Sequence, residues 1–298
     1  MNPSGVSHYS FHAWVAAIRP KTLPAGILPV IVGSACAYHE GHFSTVPALL
    51  ALVCAVLIQI ITNFVNEVYD FRKGADTDER LGPMRTVASG IIPEAIMVRA
   101  AIVVAIITFT LGLWLVILSG PIIFIIGIVS LIMAWAYTGG PYPLAYKGLG
   151  EIFVILFFGL AAVMGTYYVQ AGQWSSDTFV LGIALGLLSA NLLSINNIRD
   201  IDTDQKAQKR TVATRIGRKN AEKVIMAQTF VPFIIPVYLF TEVSSFAILL
   251  PLCTLPYAVK MLRSMNKRQG AALNQSLQDS AKVLVIYGIL LAVGLILA

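Results

Sequence analysis

Residues 100–146 read AAIVVAIITFTLGLWLVILSGPIIFIIGIVSLIMAWAYTGGPYPLAY, with no charged side chain between Arg99 and Lys147. A bilayer core takes about 20 apolar residues per helix, so this run is too long for one crossing. Ser119-Gly120-Pro121 supplies the turn that divides it in two. Working outward by the same measure, apolar stretches fall at approximately 23–39, 46–68, 95–118, 121–138, 151–170, 178–197, 222–241, 245–262 and 281–298. The division of 222–262 is expected near Glu242, Ser244 and Ser245, and Pro24, Pro29, Pro232, Pro236, Pro251 and Pro256 predict kinks within spans. The expected fold is an all-α polytopic membrane protein with nine transmembrane helices, forming one transmembrane domain over 1–298.

Composition agrees with that reading. The 298 residues are 57% hydrophobic and 12% charged, where soluble domains run near 45–50% and about 25%. The mean hydropathy is +0.78. Too few charges remain to cover the surfaces of two soluble domains. Cys36, Cys54 and Cys253 lie in apolar runs without paired spacing, which excludes a disulfide scaffold or a zinc site. The net charge of +6 does not point to nucleic acid here, because in a membrane chain the placement of basic residues matters more than their sum. The first residues lack the pattern of a cleaved signal, so the first span is expected to stay attached.

All 21 lysines and arginines fall before the first span, in the loops after the second, fourth, sixth and eighth, or within about a turn of those loops. The positive-inside rule then puts the N-terminus and these loops in the cytoplasm and Ala298 on the other side. Two of the loops, roughly 69–94 and 198–221, carry most of the carboxylates.

The first loop region reads NFVNEVYDFRKGADTDERLGPMRT, with Asn66 and Asp70 four residues apart on one helix face, then Gly74, Asp76 and Asp78. The second reads NLLSINNIRDIDTDQKAQKRT, where Asn196, Asp200 and Asp204 recur every four residues and drift only about 40° per step. Each region thus begins an Asn-x-x-x-Asp, a short internal repeat able to form two facing half-sites. Clustered anions need cations between them, and oxygen ligands without His or Cys select a hard ion such as magnesium or calcium. The same loops supply Arg72, Lys73, Arg80, Arg85, Arg199, Lys209, Arg210 and Arg215. Acidic groups, a hard ion and a basic rim together describe a diphosphate site. Asp78, Glu79 and Asp202 lie off the stripe and read equally well as surface charge.

NEVYDFRKGADTDER and NNIRDIDTDQKAQKRTVATRIG resemble the two aspartate-rich signatures of the UbiA superfamily of intramembrane prenyltransferases. The spacing NxxxDxxxGxD, with AWVAAIRPKTLPAGILPVIVGSA and YTGGPYPLAYKGLGEIFVILFFGLAAVMGTYYVQ, is similar to the branch acting on 1,4-dihydroxy-2-naphthoate. The resemblance runs from about Ala13 to Gly217. It implies nine helices around a central cavity and Mg2+ held by Asn66, Asp70, Asp76, Asn196, Asp200 and Asp204. It further implies that Arg72, Lys73, Arg85 and Arg199 bind the substrate diphosphate, with Asp70, Asp200 and Lys147 catalytic. Lys147, after Tyr142, resembles a tyrosine–lysine element that helps the leaving group; YPLAYK is one residue longer than the YPxxK form of relatives using 4-hydroxybenzoate, which leaves the roles of Tyr142 and Tyr146 open. The implied reaction joins a polyprenyl group from polyprenyl diphosphate to 1,4-dihydroxy-2-naphthoate with decarboxylation, giving demethylmenaquinol. It would take place in the cell membrane on the cytoplasmic side, with the lipid bilayer as surroundings and no nucleic acid as partner.

Other features carry less. Tyr9, Phe11 and Trp14 suit an interfacial anchor helix. Gly165, Thr166, Tyr167, Tyr168 and Gln170 would line a cavity or pack helices. His8, His12, His39 and His42 have no carboxylate set and receive no catalytic role. Two alternatives stay open: the same chemistry on 4-hydroxybenzoate or homogentisate, and a secondary transporter, which would need ionisable groups near the span centres.

Overall fold

The computed structural model describes residues 10–75 and 81–298, and those residues form helices with no strand among them. Helix α1, Phe11–Ile18, is capped by Ser10, whose hydroxyl accepts from the Ala13 N–H at 3.2 Å. Arg19 ends it in the left-handed region, φ 56°, directly before Pro20. A proline disfavours the right-handed helical conformation in the residue before it. The chain then bends, the segment Phe11–Thr22 meeting α2, Pro24–His39, at 51°.

The remaining apolar helices are α3 (Thr45–Arg72), α4 (Glu94–Ser119), α5 (Pro121–Ala136), α6 (Gly150–Ala171) and α7 (Ser176–Arg199). After two short helices, α8 (Ile201–Lys206) and α9 (Val212–Ile216), come α10 (Arg218–Val243), α11 (Phe246–Met265) and α12 (Gly270–Leu297). Each of the nine expected spans overlaps one of these helices. Among the described residues, however, length and composition support seven crossings, or eight if the bent Phe11–His39 pair is one. Helix α5 falls short: 16 residues at 1.5 Å each reach about 24 Å, against roughly 30 Å of hydrocarbon. Gly120, at φ 90°, makes the expected break between α4 and α5, and Ser244, at φ 56°, separates α10 from α11. Two of the prolines sit in tighter 3-10 turns, Pro232 in Val231–Phe233 and Pro251 in Phe246–Thr254. There a missing N–H removes a helical hydrogen bond.

Helix α7 is the axis of the bundle. Of its apolar window 67% is buried, with Leu181, Leu185 and Leu188 fully covered, while α4 buries only 17%. The outer face of α4, with Ile106, Trp114 and Ile117 exposed, suits hydrocarbon contact. Helices α6 and α7 touch through glycines. A Cβ on Gly159 would stand 2.3 Å from the Gly182 carbonyl oxygen, and one on Gly186 would stand 2.9 Å from Ile155 Cα. Small residues let backbones approach this closely. At the contact α6 widens into a π-helical stretch, Ile155–Ala161.

Between α2, α3, α4, α5 and α6 lies a cavity of about 170 Å3, walled by side chains such as Ile58, Phe109, Leu131, Phe157 and Ala162. Its few polar lining groups include Thr62. Asn66 and Asp70 follow Thr62 at four-residue steps on the same face of α3. The cavity therefore leads along one helix face into the acidic end.

Candidate functional site

Helix α3 has 28 residues and extends about 42 Å, longer than a hydrocarbon core of roughly 30 Å. Its last turns, carrying Asn66, Glu67 and Asp70, continue beyond the apolar stretch. Asp70 is buried, 8% exposed. One carboxylate oxygen accepts from Arg85 Nη2 at 3.0 Å and the other from the Tyr146 hydroxyl at 2.9 Å. Asn66 accepts through Oδ1 from the buried Thr138 hydroxyl, and the Thr138 carbonyl accepts from Lys73 Nζ. Lys73 and Lys209 both approach the Tyr146 ring, at 4.2 and 5.5 Å from its centroid.

The second half-site sits where α7 gives way to α8. The helix is interrupted at Asp200, yet the N–H of Asp200 bonds to the Asn196 carbonyl at 3.0 Å, and that of Asp204 to the Asp200 carbonyl at 2.8 Å. The four-residue stripe thus survives the break. Arg199 grips Asp200 in two-pronged fashion, Nε to Oδ1 at 2.7 Å and Nη2 to Oδ2 at 2.6 Å. Its third nitrogen donates to Asn274 of α12 at 2.6 Å. Asp204 is 6% exposed; Lys209 Nζ lies 3.4 Å from its Oδ1, and its Oδ2 is buried with no hydrogen-bond partner among the described residues.

Electrostatics tie the halves together. Burial would lower the Lys209 ammonium, but Asp204, Asp70 and Asp200 outweigh it and hold it above its ordinary value. Burial, opposed by Lys209 and reinforced by Asp200 and Asp70, pushes Asp204 up to about 6. Lys73 is lowered by burial and by Lys209, against the pull of Asp70. Lys209, 3.4 Å from Asp204 and over the Tyr146 ring whose hydroxyl donates to Asp70, bridges the ends of α3 and α7.

Asp70, Asp200 and Asp204 all act on Lys209, with Lys73 and Arg85 at the first motif and Arg199 on Asp200, while Asn66 and Asn196 each lie one turn before their aspartate. Arg72 turns away to Glu94, at 2.6 Å, and stacks on Tyr69. Lys147 is exposed, with its ammonium 5.2 Å from the Tyr142 ring centroid. Asp76 lies outside the described residues, as do Asp78, Glu79 and Arg80. Among the described residues no three of Asp, Glu, His and Cys close around one point. The donor set nevertheless suits a hard cation: all oxygen, partly amide, and including the orphaned buried Oδ2 of Asp204.

Three participants were not singled out by the motifs. Tyr146, not Lys147, reaches Asp70. Glu67 is 1% exposed and holds Arg19 at 2.7 Å and Arg85 at 3.2 Å. Glu151 is 6% exposed and accepts from Asn197 at 3.0 Å. Their only advance signal was a carboxylate or a second tyrosine inside an apolar or motif-bearing segment.

Comparison with known proteins matches residues 26–286 to the model of the UbiA prenyltransferase family. The chain is 36% identical over 290 residues to a 1,4-dihydroxy-2-naphthoate octaprenyltransferase of Mycobacterium leprae, covering 97% of this chain and 98% of the relative. It is 40% identical over 217 residues to the Escherichia coli protein of the same description, covering 71% and 70%. A UbiA homolog from Archaeoglobus fulgidus, solved bound to DMAPP and Mg2+, shares the fold with a TM-score of 0.63 at 18% identity, over 94% of this chain and 99% of that one. A membrane-embedded helical bundle, two matched aspartate motifs around one centre and a family match over most of the chain agree: this protein belongs to the UbiA prenyltransferase family.

Proposed function

We propose that this chain, acting as one transmembrane domain, transfers a polyprenyl group from polyprenyl diphosphate to 1,4-dihydroxy-2-naphthoate with loss of carbon dioxide, giving demethylmenaquinol. The observation that carries the reading is the meeting of the two Asn-x-x-x-Asp ends, buried and ringed by cations, above a cavity walled by apolar side chains. The relatives described as acting on 1,4-dihydroxy-2-naphthoate support the acceptor.

In this reading Asn66, Asp70, Asp76, Asn196, Asp200 and Asp204 hold Mg2+. When bound, the ion neutralises the diphosphate and makes it a better leaving group. Arg85 and Arg199, now on Asp70 and Asp200, are placed to exchange carboxylate oxygens for diphosphate oxygens, with Lys73 alongside. Arg72 and Lys147 reach the diphosphate only by leaving Glu94 and the Tyr142 ring. The apolar cavity takes the isoprenoid tail and keeps water from the allylic cation that forms as the C–O bond breaks. The electron-rich ring attacks through the carbon bearing its carboxylate, and carbon dioxide leaves as aromaticity returns. The site opens to the cytoplasm across the cell membrane, because the basic residues gather at that end.

Acceptor labelled in its carboxyl group tests the chemistry: one labelled carbon dioxide per prenyl transferred is expected. Label retained in the product, or turnover of 4-hydroxybenzoate alone, overturns the acceptor. Cysteine labelling at Lys209 and Ala298 tests the sidedness, and labelling of both from the same side refutes it.

A further inference from the structure

Glu67 lies inside the first motif, yet its carboxylate is fully engaged with protein groups. Oε1 accepts from Arg19 Nη2 at 2.7 Å and from Arg85 Nη1 at 3.2 Å. Oε2 accepts from the Thr86 hydroxyl at 3.2 Å and from the Val87 N–H at 3.3 Å. A carboxylate has about four acceptor directions, so little is left for an ion. At 1% exposure, such a charge is stable only because it is paired.

The partners have a pattern. Thr86 and Val87 follow Arg85 directly, so one carboxylate grips the backbone that carries Arg85 as well as the guanidinium at its tip. Glu67 and Asp70 are three residues apart on α3 and so neighbours on its surface. Arg85 spans them, Nη1 to Glu67 and Nη2 to Asp70 at 3.0 Å. Arg19, held in a left-handed conformation at the end of α1, steadies Glu67 from the other side. Loss of Glu67 would remove one of the two carboxylates that Arg85 spans and favour its closing on Asp70 with both nitrogens, the preferred geometry of an arginine–carboxylate pair.

We infer that Glu67 is a positioning residue: it holds Arg85 half-detached from Asp70, so that Asp70 stays available to Mg2+ and Arg85 to the diphosphate. This rests on the diphosphate-site reading above.

The test is a double-mutant cycle on the full-length protein in nanodiscs, with Glu67→Gln, Glu67→Asp, Arg85→Ala and Glu67→Gln/Arg85→Ala. KM for farnesyl diphosphate is measured at saturating acceptor and Mg2+, and Mg2+ affinity alone by titration calorimetry. Glu67→Gln is expected to raise KM about tenfold, with a smaller change in kcat, and to weaken Mg2+ binding. Glu67→Asp recovers part of both. In the Arg85→Ala background Glu67→Gln adds nothing, the mark of a residue acting through its partner. Multiplying effects in the double variant would overturn the inference. So would a Glu67→Gln protein that melts lower but keeps its KM and Mg2+ affinity. If Glu67→Gln does not fold, the same criteria apply to Glu67→Asp with and without Arg85. An Arg85→Ala protein with unchanged KM and Mg2+ affinity would instead sink the diphosphate reading itself.

Discussion

The two half-sites share a motif but are assembled differently. Asp70 takes its partners from far along the chain, Arg85 and Tyr146, and stands at the end of an uninterrupted helix. Asp200 is gripped by the residue beside it, Arg199, at a break between two helices. The first half-site is therefore built by tertiary packing and the second largely by local backbone geometry. Perturbations of distant loops should fall on Asp70 before Asp200.

The largest effects should erase the distinction. Asp70→Asn and Asp200→Asn are each expected to lower kcat by two or more orders of magnitude, as does EDTA, because both halves serve one leaving group. Assays of the purified variants with Mg2+ would show this, and near-normal turnover by either one would break the pairing. Asp204→Asn should come next, weakening Mg2+ binding by about tenfold. Among the described residues its Oδ2 is the one buried carboxylate oxygen of the second motif without a hydrogen-bond partner, and titration calorimetry reads the change.

Smaller effects sharpen the contrast. Tyr146→Phe removes a buried hydrogen bond to Asp70, worth about 1–2 kcal/mol, or roughly tenfold in kcat/KM. Lys147→Ala, at an exposed position, is expected to cost under about threefold. The reverse order would return the catalytic weight to the lysine. Smallest is Arg72→Ala, which breaks an exposed pair with Glu94 and should change stability by about 0.5 kcal/mol or less in thermal melts.

The apolar spans and the two motifs were legible in the sequence because periodicity and hydropathy are local properties. Asn196, Asp200 and Asp204 could be placed on one face before any coordinates, and the stripe even crosses the break at Asp200. Direction was not legible in loops. Nothing local shows that Arg72 leans on Glu94, that Lys147 sits by Tyr142 while Tyr146 turns inward, or that Glu67 anchors a loop some twenty residues on. These depend on how α3, α5 and α6 meet. The span count meets the same limit, since apolar composition at 121–138 does not disclose that the helix stops at Ala136, short of a full crossing by length alone.

The π-helical stretch of α6 has a consequence for how this chain tolerates change. A π turn holds about one residue more than the α-helical turn it replaces, so the two ends of α6 are out of phase by roughly 100° relative to a regular helix. Phe153 and Phe157, stacked at 4.4 Å, precede the glycine contact or lie within it, while Thr166 and Val169 follow it on the cavity wall. Deleting one residue from Ile155–Ala161 would restore a regular helix and swing one end against the other. The bundle would then lose either its seal on Gly182 and Gly186 or its apolar wall. Α single-residue deletion there should thus be tolerated far less well than a substitution, making this short arc the chain's register mark.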